Sequence, residues 1–374
     1  MLLSVSLGWA ILQTGRFLLS PLLPTIIADL GITDATAGIA LSIFQGSYAL
    51  VQYPSGEYSD RWTRTTLIVP GLVVLVAGFA LLGVAAGFAT FLVAATVVGV
   101  GKGLFTIPSR ALLSDLFTEN RGRALGIYAA GTDVGGLVSS GAAILALTYA
   151  GWRAPFVPVA IALGALAVAY VATTREGYRV GDPSLDLRGT VARLVASGSQ
   201  RKTLVAFVLF YFMIGGFINF FPTYLAEAKG FTERLAGLSF AIVFAVGLTV
   251  KPLAGTLGDR FSRRGVAVAG MLLAAAALVA LAVASSPVAI WAFIALLGIG
   301  YKGGLPLSDA IILDGAPADG MGADLGAARA LFLTANALGP AYVGVVATYA
   351  DYDAAFLGFA ACLVVAVALL LWGR

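Results

Sequence analysis

The stretch Gly56-Glu-Tyr-Ser-Asp60-Arg61-Trp-Thr-Arg64 is matched 199 residues later by Gly255-Thr-Leu-Gly-Asp259-Arg260-Phe-Ser-Arg263. The same offset relates Gly99-Val-Gly101 to Gly298-Ile-Gly300. One offset that holds over separate segments indicates an internal repeat. The chain therefore consists of two homologous halves.

The composition is that of a membrane protein. Hydrophobic residues make up 60% of the chain and charged residues 11%, and the mean hydropathy is +0.95, whereas a soluble domain carries about 25% charged residues. A helix needs about 20 apolar residues to cross a bilayer. Twelve stretches of about that length are present, at 5–28, 36–57, 66–87, 90–114, 123–148, 154–173, 204–226, 235–257, 266–285, 288–313, 323–348 and 354–372.

The predicted fold follows from these two observations. Because lipid cannot satisfy backbone polar groups, all twelve spans must be helical. We predict an all-α membrane protein of two pseudo-symmetric six-helix bundles, residues 1–173 and 204–374, joined by a linker at 174–203. Residues 185–195 have the pattern of a short amphipathic helix on the membrane surface. Two homologous halves in so apolar a chain favour a transporter with its site between them.

The distribution of positive charge predicts the orientation. With both termini in the cytoplasm, 14 of the 23 lysines and arginines lie inside, three lie outside and six lie within spans. Basic loops remain cytoplasmic, so we expect both termini and the linker on that side of the cell membrane. The net charge of +4 reflects this loop asymmetry, and no nucleic-acid partner is expected. We expect a monomer, since each chain contains both halves of its own pathway.

Several chemistries are disfavoured by what the sequence lacks. It has no GxxxxGK[ST] phosphate-binding pattern, so ATP is not expected to drive it. We expect no enzymatic activity, cofactor or metal. The chain has no histidine, and proton coupling must therefore use carboxylates. The single cysteine, Cys362, implies no disulfide framework.

The repeated Gly-x-x-x-Asp-Arg-x-x-Arg pattern, placed between the second and third spans of each half, resembles the signature loop of the major facilitator superfamily. Gly151-Trp152-Arg153-Ala-Pro-Phe156, before the sixth span, also resembles that family. The resemblance covers essentially the whole chain and implies a secondary transporter that works by alternating access. The residues that fill the pattern are Gly56, Asp60, Arg61 and Arg64 in the first half and Gly255, Asp259, Arg260 and Arg263 in the second.

The resemblance implies that these loops latch the cytoplasmic gate while the protein faces outward. In physical terms, the glycine allows close helix approach, and the aspartate accepts hydrogen bonds at a positive helix N-terminus. The arginine pairs with a carboxylate at a nearby helix end, such as Asp115 or Asp314. The alternative is that the loops only anchor the protein through their positive charge.

Charges inside the spans are the candidates for substrate binding, because an ionised side chain at the bilayer centre costs at least about 2.5–3.5 kcal/mol. Arg16, Lys102 and Lys302 lie near the middle of the first, fourth and tenth spans, which the resemblance implies line the cavity. Three cations favour an anionic substrate. The alternatives are that Arg16 pairs with Asp133 of the fifth span, and that the lysines pair elsewhere or reach towards the interface.

Two carboxylates are candidates for proton coupling, Asp133 and Asp309, because burial and a nearby cation shift a carboxyl pKa in opposite directions. Lys251 and Arg329 lie nearer the interface, and we expect structural ion pairs for them. The remaining candidates for substrate contacts are Arg110 in the fourth span and Tyr211 and Asn219 in the seventh.

Two functions remain open from the sequence. The first is proton-coupled transport of a small organic anion, and the alternative is proton-driven efflux of lipophilic compounds. Drug exporters of the superfamily have a Gly-Pro-x-x-Gly-Gly type motif in the fifth span, whereas this chain has Gly131-Thr-Asp133-Val-Gly135-Gly136. The missing proline weakens the efflux interpretation. A sensor or scaffold without transport is disfavoured because we expect such a protein to carry a long tail or an extra domain.

Overall fold

The computed structural model describes residues 1–174, 177, 180, 197–314 and 321–372. Within these residues every regular element is a helix, as the sequence predicts. The predicted surface helix at 185–195 lies outside the described residues. The chain divides into two compact units, Met1–Thr33 with Ile39–Leu185, and Asp34–Gly38 with Asp186–Arg374.

The first half of the chain forms seven helices. They are α1 (Leu2–Leu18), α2 (Leu23–Leu30), α3 (Asp34–Arg61), α4 (Thr65–Gly83), α5 (Phe88–Leu116), α6 (Arg121–Tyr149) and α7 (Phe156–Thr173).

The second half forms six helices, and a five-residue π-helical turn joins the second to the third. They are α8 (Gly198–Glu227), α9 (Glu233–Leu257), the π turn (Gly258–Ser262), α10 (Arg263–Val283), α11 (Pro287–Asp314), α12 (Met321–Tyr349) and α13 (Tyr352–Trp372).

The first predicted span is broken, which the sequence analysis did not predict. Helices α1 and α2 meet at 53° across residues 19–22. Pro21 lies in this break, and proline has no backbone N–H to continue a helical ladder. The span is therefore two helices in place of one, while its counterpart α8 is a continuous 30-residue helix.

Helix length and hydropathy account for the predicted spans. Nine helical stretches of the described chain are long and apolar enough to cross a membrane, and the bent α1–α2 pair makes a tenth. One of the nine, Glu233–Val283, has 51 residues. At 1.5 Å per residue it is about 77 Å long, more than twice a bilayer core, so α9 and α10 are separate spans. Adding α3, a helix of 28 residues, gives a helix for each of the twelve predicted spans.

The two units repeat the same helix packing. In the first, α4 packs on α5 and α7, and α1 packs on α6; in the second, the equivalent α10 packs on α11 and α13, and α8 packs on α12. The repeat offset of 199 residues also relates individual contacts between helices. A Cβ on Gly101 would lie 3.1 Å from the carbonyl oxygen of Gly71, and a Cβ on Gly300 would lie 2.5 Å from that of Gly270. These glycines let the backbones of α4 and α5, and of α10 and α11, approach closely.

Candidate functional site

Lys102 lies in the middle of α5 and is buried among aromatic rings. Its side chain is 5% exposed. The Nζ atom lies 4.0 Å from the centre of the Tyr48 ring and 5.7 Å from that of Phe44. Both rings belong to α3, and a cation over a ring face within about 6 Å is attracted by the ring quadrupole. Arg16 and Arg110 are the charged groups that act on Lys102 electrostatically, so positive charges gather here.

Arg110 lies two turns further along α5, and its surroundings are also aromatic. Its guanidinium carbon is 5.9 Å from the Trp9 ring centre and 5.7 Å from that of Tyr128. These two rings stack on each other at 5.1 Å, and Trp9 Nε1 donates to Thr132 Oγ1 at 2.9 Å. In the described part of the chain, neither Arg110 nor Lys102 has a carboxylate within ion-pair distance.

Arg16 and Asp133 are both buried, at 8% and 1% exposure. They lie on α1 and α6, which pack side by side. The guanidinium of Arg16 lies 4.5 Å from the ring centre of Phe17. Two buried amide oxygens of this unit, Gln13 Oε1 and Gln52 Oε1, have no hydrogen-bond partner among the described residues. The unit thus holds buried charge together with unused hydrogen-bonding capacity.

Lys302 is the buried cation of the second unit, with 3% exposure in α11. Its Nζ lies 4.5 Å from the Phe244 ring centre and 5.3 Å from that of Tyr301. Tyr301 is the repeat equivalent of Lys102, so the two lysines occupy neighbouring rather than identical positions. An aromatic-lined lysine is therefore present in each unit.

Tyr211 and Asn219 both lie on α8, where they have partners within their own unit. The Tyr211 hydroxyl is 3.2 Å from Ser308 Oγ, and its ring stacks on Phe332 at 5.0 Å. Asn219 donates from Nδ2 to the carbonyl of Gly215 at 2.7 Å. Tyr211 thus ties α8 to α11 and α12, while Asn219 uses one of its donors inside its own helix.

Asp309 forms an ion pair with Arg329. Arg329 Nε donates to Asp309 Oδ1 at 3.0 Å, and Arg329 Nη2 contacts Asp309 Oδ2. The pair joins α11 to α12 and is bidentate, which is the stronger form of guanidinium–carboxylate contact. The structural pair predicted for Arg329 is therefore present, and its partner is the carboxylate that the sequence analysis assigned to proton coupling.

The predicted arginine–carboxylate pairs of the signature loops are present in both units. Arg64 Nε lies 3.1 Å from Asp115 Oδ2, and Arg64 Nη1 donates to Ser59 Oγ at 2.6 Å. In the second unit, Arg263 Nη1 lies 2.5 Å from Asp314 Oδ1. Each pair joins the start of the third span to the end of the fourth.

The remaining charged loop residues have described side chains only in the second unit. Asp259 accepts from Arg263 at 2.9 Å, and Arg260 is exposed, while the side chains of Asp60 and Arg61 lie outside the described part of the structure. Among the described residues, no helix approaches the loop glycines as closely as expected. A Cβ on Gly56 would make only an ordinary contact with Ile107 at 3.7 Å, and one on Gly255 would meet nothing within 4 Å.

At the end of the helices opposite the signature loops, each unit has one ion pair. The positions of the cation and the carboxylate are exchanged between the two units. In the first, Arg153 before α7 pairs with Asp29 of α2 at 2.7 Å and donates to the Ala85 carbonyl at 2.6 Å. In the second, the cation Lys229 follows α8; it pairs with Asp353 of α13 at 3.0 Å and donates to the Ala282 carbonyl at 2.7 Å. The architecture repeats although the charges have changed places.

The aromatic surroundings of the two lysines were missed by the sequence analysis. Phe44 and Tyr48 are four residues apart, and such residues share one face of a helix. That spacing was the available signal for the first unit. Phe244, beside Lys302, lies four residues after Phe240, so the same spacing was available in the second unit, while the contact of Phe244 with Lys302 depends on how α9 packs on α11.

Comparison with known families identifies the chain. The model of the Major Facilitator Superfamily matches residues 5–249 and 203–374. The chain belongs to the Major Facilitator Superfamily. This confirms the resemblance of the signature loops, and with the helices described above the chain is a multi-pass membrane protein of that family.

Proteins similar in sequence to this member of the Major Facilitator Superfamily include named transporters. A probable sulfoacetate transporter of Cupriavidus necator is 29% identical over 263 residues, 64% of this chain and 60% of that protein. A probable hexose phosphate transport protein of Chlamydia muridarum is 24% identical over 272 residues, 64% of this chain and 60% of that protein. These alignments span under two thirds of each relative. A chloramphenicol resistance protein of Streptomyces lividans is 29% identical over 376 residues, 96% of this chain and 91% of that protein.

Solved transporter structures share the fold. A bacterial homologue of the human lysosomal transporter Spinster, inward-facing and unoccupied, superposes with a TM-score of 0.86. The match covers 100% of this chain and 96% of that chain at 19% sequence identity. At this identity the likeness concerns the fold alone.

Proposed function

We propose that this protein is a secondary transporter that carries a small organic anion across the cell membrane by alternating access, coupled to protons. The observation that carries the proposal is the cluster of Arg16, Lys102 and Arg110 in the first unit. A cation inside a membrane span is costly unless a counter-charge or a function offsets it. An anionic cargo supplies that counter-charge to Lys102 and Arg110.

The roles of the other residues follow from this proposal. We assign Lys302 to substrate binding as an aromatic-lined cation, and Tyr211 and Asn219 to substrate binding through hydrogen bonds. Asp133 is the proton-coupling residue because it is buried in the unit that holds the cation cluster. Asp309 takes part in coupling through its pair with Arg329.

The gate is assigned to the signature loops. The pairs Arg64–Asp115 and Arg263–Asp314 hold the ends of the third and fourth spans of each unit together. Asp60, Arg61, Asp259 and Arg260 belong to the same loops, and Gly56 and Gly255 begin them. We assign both loops to closing the cytoplasmic side of the pathway.

The relatives support an anionic cargo, since sulfoacetate and hexose phosphate are both anions. The competing function is efflux of lipophilic compounds, and one observation favours it. The relative named for chloramphenicol resistance aligns with 96% of the chain, a longer alignment than either of the other two relatives gives. The cation cluster weighs against this alternative, because lipophilic or cationic cargo gains nothing from buried arginine and lysine.

The test is uptake by proteoliposomes that contain the purified protein, with and without an inward proton gradient. Labelled sulfoacetate and hexose phosphate are compared with a cationic dye. We expect uptake of at least one anion, and loss of that uptake in Arg16→Met, since a hydrogen bond to a charged group contributes about 1.5–3 kcal/mol, or more than tenfold in affinity. Arg16→Lys keeps the charge and is expected to retain part of the activity. Dye transport without anion transport would favour efflux instead.

A further inference from the structure

Two cations are held in place at the corner of the second unit where α13 packs on α8 and α10. Lys202, near the start of α8, donates from Nζ to the carbonyl of Trp372, the last residue of α13, at 3.1 Å. Arg264, at the start of α10, donates from Nη2 to the Thr203 hydroxyl at 2.9 Å. Because Lys202 and Thr203 are consecutive, both cations are tied to one turn of α8. We call Lys202, Arg264 and Trp372 the corner cluster.

The equivalent corner of the first unit is neutral. The offset of 199 residues relates the corner cluster to three uncharged residues, Leu3, Thr65 and Thr173. There, Thr65 Oγ1 lies 3.4 Å from the Tyr170 hydroxyl in place of an arginine contact. Both corners adjoin a signature loop, so the tendency of basic residues to collect on one side of a membrane applies to both. That tendency does not explain why the second corner alone is charged.

The ring of Trp372 lies on the outside of the bundle at the end of an apolar span. Trp372 is 80% exposed, and Leu371 beside it is 51% exposed. Helix α13 is long and apolar enough to cross a membrane. Its last residue therefore lies at the boundary between membrane and water, where the amphipathic ring of tryptophan is favoured. Lipid headgroups lie at this depth, beside the two cations of the corner cluster.

The corner cluster has positive charge to offer to a headgroup. Lys202 is exposed, and no carboxylate in the described part of the chain lies within ion-pair distance of it. A lysine ammonium has three donors, and the Trp372 carbonyl uses one of them. Lys202 and Arg264 both lie near the N-terminal ends of their helices, where the helix dipole also favours an anion.

We propose that the corner cluster binds an anionic phospholipid, with Lys202 and Arg264 on the phosphate and Trp372 against the glycerol and acyl chains. The exposed ring and Leu371 offer apolar surface that a lipid can cover and a free phosphate cannot. A zwitterionic lipid fits less well, because its own cation faces the same two positive side chains. This site goes beyond the transport function and does not rest on the charge of the cargo.

The experiment measures which lipid stays bound to the purified protein. The full chain is equilibrated in detergent with equal amounts of phosphatidylglycerol and phosphatidylcholine that have the same acyl chains, and native mass spectrometry counts each bound lipid. We expect phosphatidylglycerol to predominate. A basic side chain near an anionic lipid contributes about fivefold in affinity, so Lys202→Gln and Arg264→Gln should each lower the preference by about that factor. Trp372→Ala should weaken binding of both lipids alike, since both have the same chains.

Two control variants separate the site from general charge and from folding. Arg123→Gln removes an exposed arginine at the start of α6 in the first unit and should leave the lipid preference unchanged. Lys202→Arg keeps the charge and should also retain the preference. Melting temperatures of all variants without added lipid show whether each one is folded, and the ratio of the two lipids is unaffected by a loss of folded protein.

Three results would overturn the inference. The first is equal binding of the two lipids by the unaltered protein, and the second is a preference that survives in both Lys202→Gln and Arg264→Gln. The third is displacement of phosphatidylglycerol by excess inorganic phosphate, which would assign the corner cluster to a free anion. Lipid binding is measured without any cargo, so its failure leaves the proposed anion transport in place, and failure of anion transport leaves the lipid site in place.

Discussion

Arg64 holds Asp115 at 3.1 Å, joining the start of α4 to the end of α5, and 199 residues later Arg263 holds Asp314 in the same way. The two carboxylates are more than half exposed, and exposed ion pairs contribute only about 0.2–1 kcal/mol to stability. Such contacts are weak enough to break and re-form during a transport cycle. This suits a gate better than it suits a fixed structural joint.

The first prediction concerns these loop pairs. Arg64→Gln and Arg263→Gln are expected to lower the initial rate of anion uptake several-fold, while the melting temperature changes by no more than about 2–4 °C, because each pair stabilises the fold little. Uptake rates and thermal unfolding in detergent provide the two measurements. Arg123, an exposed arginine at the start of α6, gives the matched control Arg123→Gln. A large drop in melting temperature with unchanged transport per folded molecule would argue for a purely structural role.

The second prediction concerns Asp133. Asp133→Asn removes the titratable group, so we expect loss of uptake driven by a proton gradient but retention of sulfoacetate exchange across the membrane without one. The two assays use the same proteoliposomes. Continued gradient-driven accumulation in this variant would exclude Asp133 as the coupling residue. Asp309→Asn would then be examined, with Arg329→Gln as its comparison, since the two residues form one ion pair.

The third prediction concerns the close packing of α4 on α5 and of α10 on α11. A Cβ on Gly101 would lie 2.8 Å from the backbone nitrogen of Leu75, and one on Gly300 would lie 2.7 Å from that of Ala274. Overpacking of this kind costs about 1–3 kcal/mol, so Gly101→Ala and Gly300→Ala should both lower the melting temperature. Gly126 lies inside α6 with nothing near its Cβ direction, and Gly126→Ala should be neutral or stabilising by up to about 1 kcal/mol. Similar melting temperatures for all three variants would contradict the packing argument.

The fourth prediction compares two ion pairs that differ in burial. Lys229 is nearly buried in its pair with Asp353, at 6% side-chain exposure, and Tyr224 also donates to that carboxylate at 2.8 Å. Asp353→Asn leaves this cation without its carboxylate, at a cost of about 1–3 kcal/mol. Asp115→Asn, in the exposed pair, should cost less than about 1 kcal/mol. Thermal unfolding of the two variants checks the order, and the reverse order would show that burial of Lys229 does not govern the strength of its pair.

The sequence alone determined the fold and the family. Hydropathy located the spans, and the offset of 199 residues showed the two halves, because both are properties of the chain read in order. The structure retains that offset in the backbone: Gly31 and Gly230, which are equivalent in the repeat, have positive φ angles of 61° and 67°. The charges within the spans could also be found without a structure, since a charged residue in an apolar stretch is visible in any reading of the sequence.

Only the tertiary structure decided which of those charges meet. The partner of Asp309 is Arg329, and Phe244 covers Lys302. The Lys229–Asp353 pair has its cation and carboxylate in exchanged positions relative to the Arg153–Asp29 pair. These contacts join different helices. They depend on the rotation and axial position of each helix. Close backbone packing at glycines distant in sequence from these contacts, and the break near Pro21, set that rotation and position. Local sequence patterns fix which residues share a helix face but leave open which neighbouring helix that face meets.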